Sequence, residues 1–234
     1  MSRVCLITGG TRGIGYAVAE ALIRAGDKVA ITGTTNDGVV RAEHALASHG
    51  EVVGIVADVR DPAAIELAIR TVVARFGGLD VLVNCAGVGV GAPVSDLTHD
   101  EWDRIIGTNL TGVFNCCKAA IPHLRTRGGG WIVNISSLSS TGPFPGGAAY
   151  VASKAGVNAF SDALMQELRY DNIRVTTILP GSVATGFNNR EPGSGSEWKL
   201  LPEDVARAIV DVIDFPARSL PSRIELRPSR PKKE

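Results

Sequence analysis

Runs of four to six apolar, largely β-branched residues alternate along the chain with longer stretches whose apolar positions recur every three or four residues. The short runs predict strands at Val4–Thr8, Lys28–Thr32, Val52–Ala57, Val81–Asn84, Trp131–Ser136, Ile173–Leu179 and Arg223–Leu226. The longer stretches predict helices near Gly13–Ala25, Gly38–His49, Pro62–Phe76, Asp100–Leu124, Ala148–Tyr170 and Pro202–Phe215. Sustained alternation of this kind is the signature of repeated βα units. Continuous apolar strands such as Val81-Leu82-Val83 imply burial on both faces. The expected fold is α/β, a doubly wound parallel seven-stranded sheet in three layers, forming a single domain over 1–226 with a basic tail at 227–234.

Composition narrows the function. The 24 basic and 24 acidic residues cancel, so no global field draws the chain to nucleic acid or an anionic membrane. Glycine, 27 of 234 residues, exceeds the usual share of about 7% and points to tight turns and close backbone approaches. Cys5, Cys85, Cys116 and Cys117 form no disulfide framework, which fits a reducing cytosol. The apolar run after Met1-Ser2-Arg3 is too short for a signal peptide, and the uncharged stretch 128–153 is broken by Pro143 and Pro145. A cytoplasmic protein is expected. His44, His49, His99 and His123 lack ligand spacing, so no metal site is expected.

The first strand runs into Thr8-Gly9-Gly10-Thr11-Arg12-Gly13-Ile14-Gly15 and then a helix. Gly9, Gly13 and Gly15 stand where backbone must turn tightly beside a helix N-terminus, which favours a pyrophosphate. The second strand ends Ile31-Thr32-Gly33-Thr34-Thr35 without the carboxylate that would accept from a ribose 2′-hydroxyl. Thr34, Thr35 and Arg12 suit a 2′-phosphate instead, so NADP(H) is favoured over NAD(H), unless Arg12 is simply a solvated loop charge.

Tyr150 and Lys154, four apart in a helical stretch, share one face. A cation beside a phenol pulls its pKa toward the working range, making tyrosine an acid–base catalyst. Ser136-Ser137 ends the fifth strand thirteen residues earlier, where a hydroxyl can reach the same substrate oxygen. Asn109 is awkward inside a helix, so it is either functional or a capping or kink residue.

These residues resemble the short-chain dehydrogenase/reductase family from Arg3 to Val212. The glycine loop looks like that family's cofactor loop, and Asp58, followed by Val59, looks like its adenine-binding Asp. Asn84-Cys85-Ala86-Gly87 is similar to its Asn-Asn-Ala-Gly motif, with Cys85 replacing the second Asn. Asn109, Ser137, Tyr150 and Lys154 match its catalytic tetrad, and Pro180-Gly181-Ser182-Val183-Ala184-Thr185 matches the stretch holding the nicotinamide carboxamide. The resemblance implies a Rossmann-like fold and Tyr150 as general acid in reduction and base in oxidation. It further implies that Lys154 lowers the Tyr150 pKa and holds the nicotinamide ribose, and that Ser137 orients the carbonyl. Asn109 would bend its helix to complete a proton relay, and Val183 and Thr185 would fix the nicotinamide face for pro-S transfer. The implied cofactor site also includes Thr11, Ile14, Asn84, Ala86, Gly87, Pro180 and Gly181.

The ending Arg223-Ile224-Glu225-Leu226-Arg227-Pro228 is similar to that of the short serine and 3-hydroxy acid dehydrogenases. A small 3-hydroxy acid or polar carbonyl compound is therefore the expected substrate. A 3-oxoacyl thioester reductase is the rival, though no basic cluster for an acidic carrier is visible along the sequence. An NADP(H)-binding redox sensor is a third reading, opposed by the complete tetrad. The stretch 188–196 is either a lid or a solvated connection, and the basic tail is either solvated or a weak anion or subunit contact. The resemblance also implies a homodimer or homotetramer through the two long helices, where Ile105, Val113, Phe160 and Leu164 face either a partner or the sheet.

Overall fold

A computed structural model of the protein describes residues 2–89, 91–187 and 196–230. Among them, seven parallel strands form one sheet in the order β3-β2-β1-β4-β5-β6-β7. The strands are β1 (Val4–Thr8), β2 (Lys28–Gly33), β3 (Val52–Val56), β4 (Val81–Asn84), β5 (Gly130–Ile135), β6 (Ile173–Pro180) and β7 (Arg223–Leu226). All fall within two residues of the sequence expectation.

Period-two alternation divides the strand side chains between two cores. Leu6, Leu82, Ile132 and Val175 point into one cluster, whereas Ile7, Val83, Val133 and Ile178 point into the other. Helices α1 (Gly13–Arg24), α2 (Asn36–Leu46) and α7 (Pro202–Ile213) contribute to the second cluster, with α1 and α7 packed together. Helices α3 (Pro62–Phe76), α5 (Gly112–Thr126) and α6 (Ala148–Leu168) contribute to the first. Each wholly buried Leu or Ile contributes roughly 1.5–3 kcal/mol. Burial lapses only at the sheet edges, in β3 and β7.

Local chemistry sets the helix ends. Asp61 accepts from the amides of Ala63 and Ala64, Pro62 opens α3, and Gly77 ends it at φ 86°. Thr98 and Glu101 form a reciprocal capping box at the start of α4 (His99–Ile106).

The expected continuous helix Asp100–Leu124 is interrupted. A π-helical turn, Gly107–Thr111, separates α4 from α5, and Asn109 sits inside it. The wider turn lets the wholly buried Asn109 side chain hydrogen-bond sideways to Val88 and Ser153 instead of crowding its own helix. The apolar residues assigned either to a partner or to the sheet divide unequally. Ile105, Val113 and Leu164 are buried within the chain, whereas Phe160 is partly buried and meets the exposed Phe114 ring edge-on at 6.4 Å.

Candidate active site

β1 and β4 are adjacent, but the chain leaves them toward opposite sides of the sheet, which opens a crevice at their carboxyl ends. Thr8 closes the base of that crevice: its hydroxyl accepts from the amides of Cys85 (3.1 Å) and Ala86 (3.2 Å). Gly9, at φ 66°, passes so close to β4 that a Cβ there would stand 2.8 Å from the Ala86 Cα. Gly15 is equally constrained, since its Cβ would strike the Gly9 carbonyl. The glycines thus bring the N-terminus of α1 against the crevice floor. The Gly15 amide points at the thiol of Cys85, which burial pushes up to about 12.

The crevice opens into a cleft of about 1280 Å³ lined from the glycine loop to the end of β6. At one end Asp58 and Val59 form a wall held by α5, because the buried Asn115 donates to the Val59 carbonyl at 2.9 Å. Arg60 grips Asp58 with two nitrogens (3.0 and 2.6 Å) and holds its carboxyl below the usual range. Thr34 lines the cleft beside Gly33, with no carboxylate at the tip of β2. Thr35 lies outside the cleft lining and caps α2 by accepting from the Gly38 amide at 3.3 Å. Arg12 has no carboxylate partner among the described residues and donates to the Gly186 carbonyl at 3.2 Å.

Asn84 also lies away from the cleft lining, buried in the sheet. Its amide donates to Asn134 (2.8 Å), which donates to Ser161 on α6 (2.8 Å), so the chain of polar groups ties β4, β5 and α6 together. That network fixes α6 relative to the ends of β4 and β5.

The result is a cluster of reactive side chains. Tyr150 and Lys154 project from α6 and Ser137 from the end of β5, and all three line the cleft. The Ser137 hydroxyl, which accepts from the Ser139 amide at 3.1 Å, lies close enough to the Tyr150 phenol to lower its pKa. Lys154 Nζ, buried, donates to the Ile135 carbonyl at 2.7 Å, while Ser136 Oγ donates to the Lys154 carbonyl at 3.1 Å. Asn109 does not line the cleft, yet it borders the cluster. Its Oδ1 accepts from the Val88 amide and its Nδ2 donates to the Val88 carbonyl and Ser153 Oγ. A Cβ on Gly87 would stand 3.5 Å from Asn109 Oδ1 and 3.7 Å from Lys154 Nζ, which shows how closely the three converge.

Burial dominates the electrostatics of the cluster. Burial raises the Tyr150 pKa above 10, the Ser137 hydrogen bond opposes this, and the neighbouring Cys85 adds to it. Lys154 Nζ lies 5.9 Å from the phenol ring centre and donates to the Ile135 carbonyl. Burial acts on Lys154 itself, bringing its pKa down to about 8.

Beyond Tyr150, the wall comprises Leu138, Phe144, Phe187 and Trp198, with Phe187 meeting Tyr150 edge-on at 6.0 Å. Val183 lines the cleft, and Thr185 faces the glycine loop: a Cβ on Gly13 would stand 3.5 Å from Thr185. Pro180 and Gly181 continue the lining. A parallel bridge pairs Val183 with Leu200, bringing Lys199 to the cleft, and Arg227-Pro228 packs beside Gly181. Sequence reasoning missed Thr8, Asn115, Phe187 and Lys199. Only Asn115, an amide inside a helix like Asn109, carried a visible signal. Of the loop expected at 188–196 only Ser196 is described, and Lys232, Lys233 and Glu234 of the tail lie outside the described residues. Among the described residues no group of three His, Cys, Asp or Glu is placed to hold a metal, and no helix is long and apolar enough to cross a membrane.

Residues 3–193 match the family model described as short chain dehydrogenase. An uncharacterized oxidoreductase of Staphylococcus haemolyticus is 32% identical over 97% of each chain. A 3-oxoacyl-[acyl-carrier-protein] reductase of Salmonella typhimurium is 37% identical over 78% of this chain and 74% of its own. Among solved structures, the alcohol dehydrogenase from the archaeon Thermococcus sibiricus, complexed with 5-hydroxy-NADP, superposes with a TM-score of 0.92 at 30% identity, covering 100% of both chains. The family match over most of the chain, the identity over its length and the superposition agree, and the chain belongs to the short-chain dehydrogenase/reductase family of oxidoreductases.

Proposed function

We propose that the protein interconverts a carbonyl compound and an alcohol with NADP(H), using Tyr150 as general acid in reduction and general base in oxidation. The observation that carries this reading is the meeting of Ser137, Tyr150 and Lys154 inside a cleft that begins at a glycine-lined helix N-terminus. When bound, the nicotinamide supplies or accepts the hydride. The chain fits such a group. Gly9, Gly13 and Gly15 leave room for a pyrophosphate at the start of α1, Asp58 and Val59 form an adenine wall, and Arg12 and Thr34 offer donors to a 2′-phosphate where β2 ends without a carboxylate. The 5-hydroxy-NADP carried by the Thermococcus sibiricus structure supports the choice of NADP(H).

In this reading Ser137 and Tyr150 both donate to the substrate oxygen, fixing it for attack and stabilising the charge that develops there. The raised Tyr150 pKa keeps the phenol protonated at neutral pH, as an acid must be. Lys154 supplies a buried ammonium one helical turn away, and Asn109 holds the Val88 segment that shields it. Replacing Tyr150 with Phe removes the proton donor while keeping the ring. The expected result is a fall in kcat/KM of about 10²–10⁴-fold with NADPH affinity retained. Undiminished turnover overturns the role.

A small 3-hydroxy acid or polar carbonyl compound is the proposed substrate. A second reading, a 3-oxoacyl thioester, is favoured by the carrier-protein reductase likeness and by the basic side chains Arg60, Arg104 and Arg12, which the fold gathers along the cleft although they are scattered in sequence. Steady-state rates on acetoacetate and acetoacetyl-CoA separate the two. By likeness to its family we also propose a cytoplasmic homo-oligomer acting without nucleic acid or membrane.

A further inference from the structure

The chain has no net charge, yet its cleft is strongly cationic. Among the described residues Arg12, Arg60, Arg104, Lys154, Lys199 and Arg227 line it, against the single carboxylate of Asp58. Position sorts these groups. Arg60 is paired with Asp58, Arg12 belongs to the glycine loop, and Lys154 is enclosed beneath Tyr150. Arg104 is exposed on α4, which leaves Lys199 and Arg227. Arg227 is already neutralised by Glu225 at 2.7 Å. Lys199 is half-buried and has no carboxylate partner among the described residues.

The backbone around Lys199 ties it to Val183, in the stretch whose family likeness gives it to the nicotinamide. The next residue, Leu200, donates its amide to the Ser182 carbonyl (3.0 Å) and accepts from the Ala184 amide (2.8 Å). Lys199 is thereby anchored beside the stretch that faces the glycine loop, in the cleft that its neighbour Trp198 and Phe187, whose ring meets Tyr150, also line. A lysine there loses part of its hydration without gaining a counter-ion, an arrangement that costs free energy unless a ligand supplies the negative charge. A thioester carries no charge next to its carbonyl, because the anionic groups of its carrier lie at the far end of a long arm. A charge close to the carbinol is what Lys199 would meet.

We infer that Lys199 is a substrate-specificity residue, binding a carboxylate on the substrate while the carbinol carbon faces Ser137 and Tyr150. This inference rests on the proposed acid–base site, but it is tested without chemistry. Protein saturated with NADPH is titrated with 3-hydroxybutyrate and with butane-1,3-diol, alcohols that form dead-end complexes read by NADPH fluorescence. The acid is expected to bind at least about tenfold tighter than the diol, the advantage of a charge-assisted contact. In Lys199→Met that ratio collapses toward one, and in Lys199→Arg, which keeps the charge, most of it survives. NADPH binding by each variant reports that it is folded. A ratio near one in the unaltered protein, or an unchanged ratio in Lys199→Met, overturns the inference. Tyr150→Phe separates the two readings: a retained ratio with lost turnover supports both, whereas undiminished turnover sinks the acid–base role and leaves the anion site standing.

Discussion

Replacing Asn109 with alanine cuts three hydrogen bonds at once. The side chain is wholly buried, accepts from the Val88 amide at 2.8 Å, and donates to the Val88 carbonyl at 2.8 Å and to Ser153 Oγ at 3.0 Å. Ser153 loses little, because its hydroxyl still donates to the Tyr150 carbonyl at 2.7 Å. Val88 loses both backbone partners, at about 1–3 kcal/mol for each group left unsatisfied. Val88 is half-buried, so water recovers part of that, and a net loss of about 2–4 kcal/mol is expected. Against a typical stability of about 5–15 kcal/mol this is large, and in urea it lowers the unfolding midpoint by roughly 1 M or more. Asn109→Asp preserves the acceptor for the Val88 amide but turns a carboxylate oxygen toward the Val88 carbonyl, so it is at least as damaging as alanine. Circular dichroism through a urea titration measures both. A loss below about 0.5 kcal/mol in alanine, or a wild-type midpoint in aspartate, refutes the argument that Asn109 acts by holding the Val88 segment.

Other perturbations probe the rest of the cleft. Arg12→Ala is expected to weaken NADPH binding by tenfold or more with little effect on NADH, compared by fluorescence titration; equal losses remove the 2′-phosphate contact. Lys154, brought from 10.5 to about 8 by burial, gives up its proton as pH rises through 8, so kcat/KM for carbonyl reduction should decline there and Lys154→Arg should push that limb upward. Between those values the unfolded chain binds more protons than the folded one, so stability relative to Lys154→Met should rise from about pH 8 to 10.5; a flat difference contradicts the buried ammonium. Gly9→Ala forces a φ of 66° and a contact 2.8 Å from the Ala86 Cα, and should cost about 2–4 kcal/mol in thermal or urea unfolding.

The sheet was legible because its strands are buried on both faces and therefore stand out as continuous apolar runs, and because βα alternation admits few topologies. Helix α3 was legible to the residue, since Asp61, Pro62 and Gly77 are local signals. The break at Gly107–Thr111 was legible only as a kink at Asn109, because its form serves a contact with Val88, 21 residues away in sequence. The same limit explains Thr35 and Asn84. Thr35 has the right chemistry for a phosphate and the right position for an N-cap, and the helix start claims it. Asn84 ends a strand at the cleft, but period-two alternation turns its side chain into the sheet, where Asn134 meets it.

Charge shows the deepest gap between composition and fold. A chain with 24 basic and 24 acidic residues looks electrostatically neutral, and that balance argues correctly only about fields at long range. Inside the fold the acids go elsewhere. Asp27 and Asp214 hold Arg3, Asp80 holds Arg127, Asp171 holds Arg125 and Asp162 holds Arg223, pairs that brace the termini of strands and helices away from the cleft. Spending carboxylates on those pairs leaves the cleft cations with Asp58 as their sole carboxylate among the described residues. A neutral chain thus builds a positively charged cleft, matched to an anionic dinucleotide and, in the reading proposed for Lys199, to an anionic substrate.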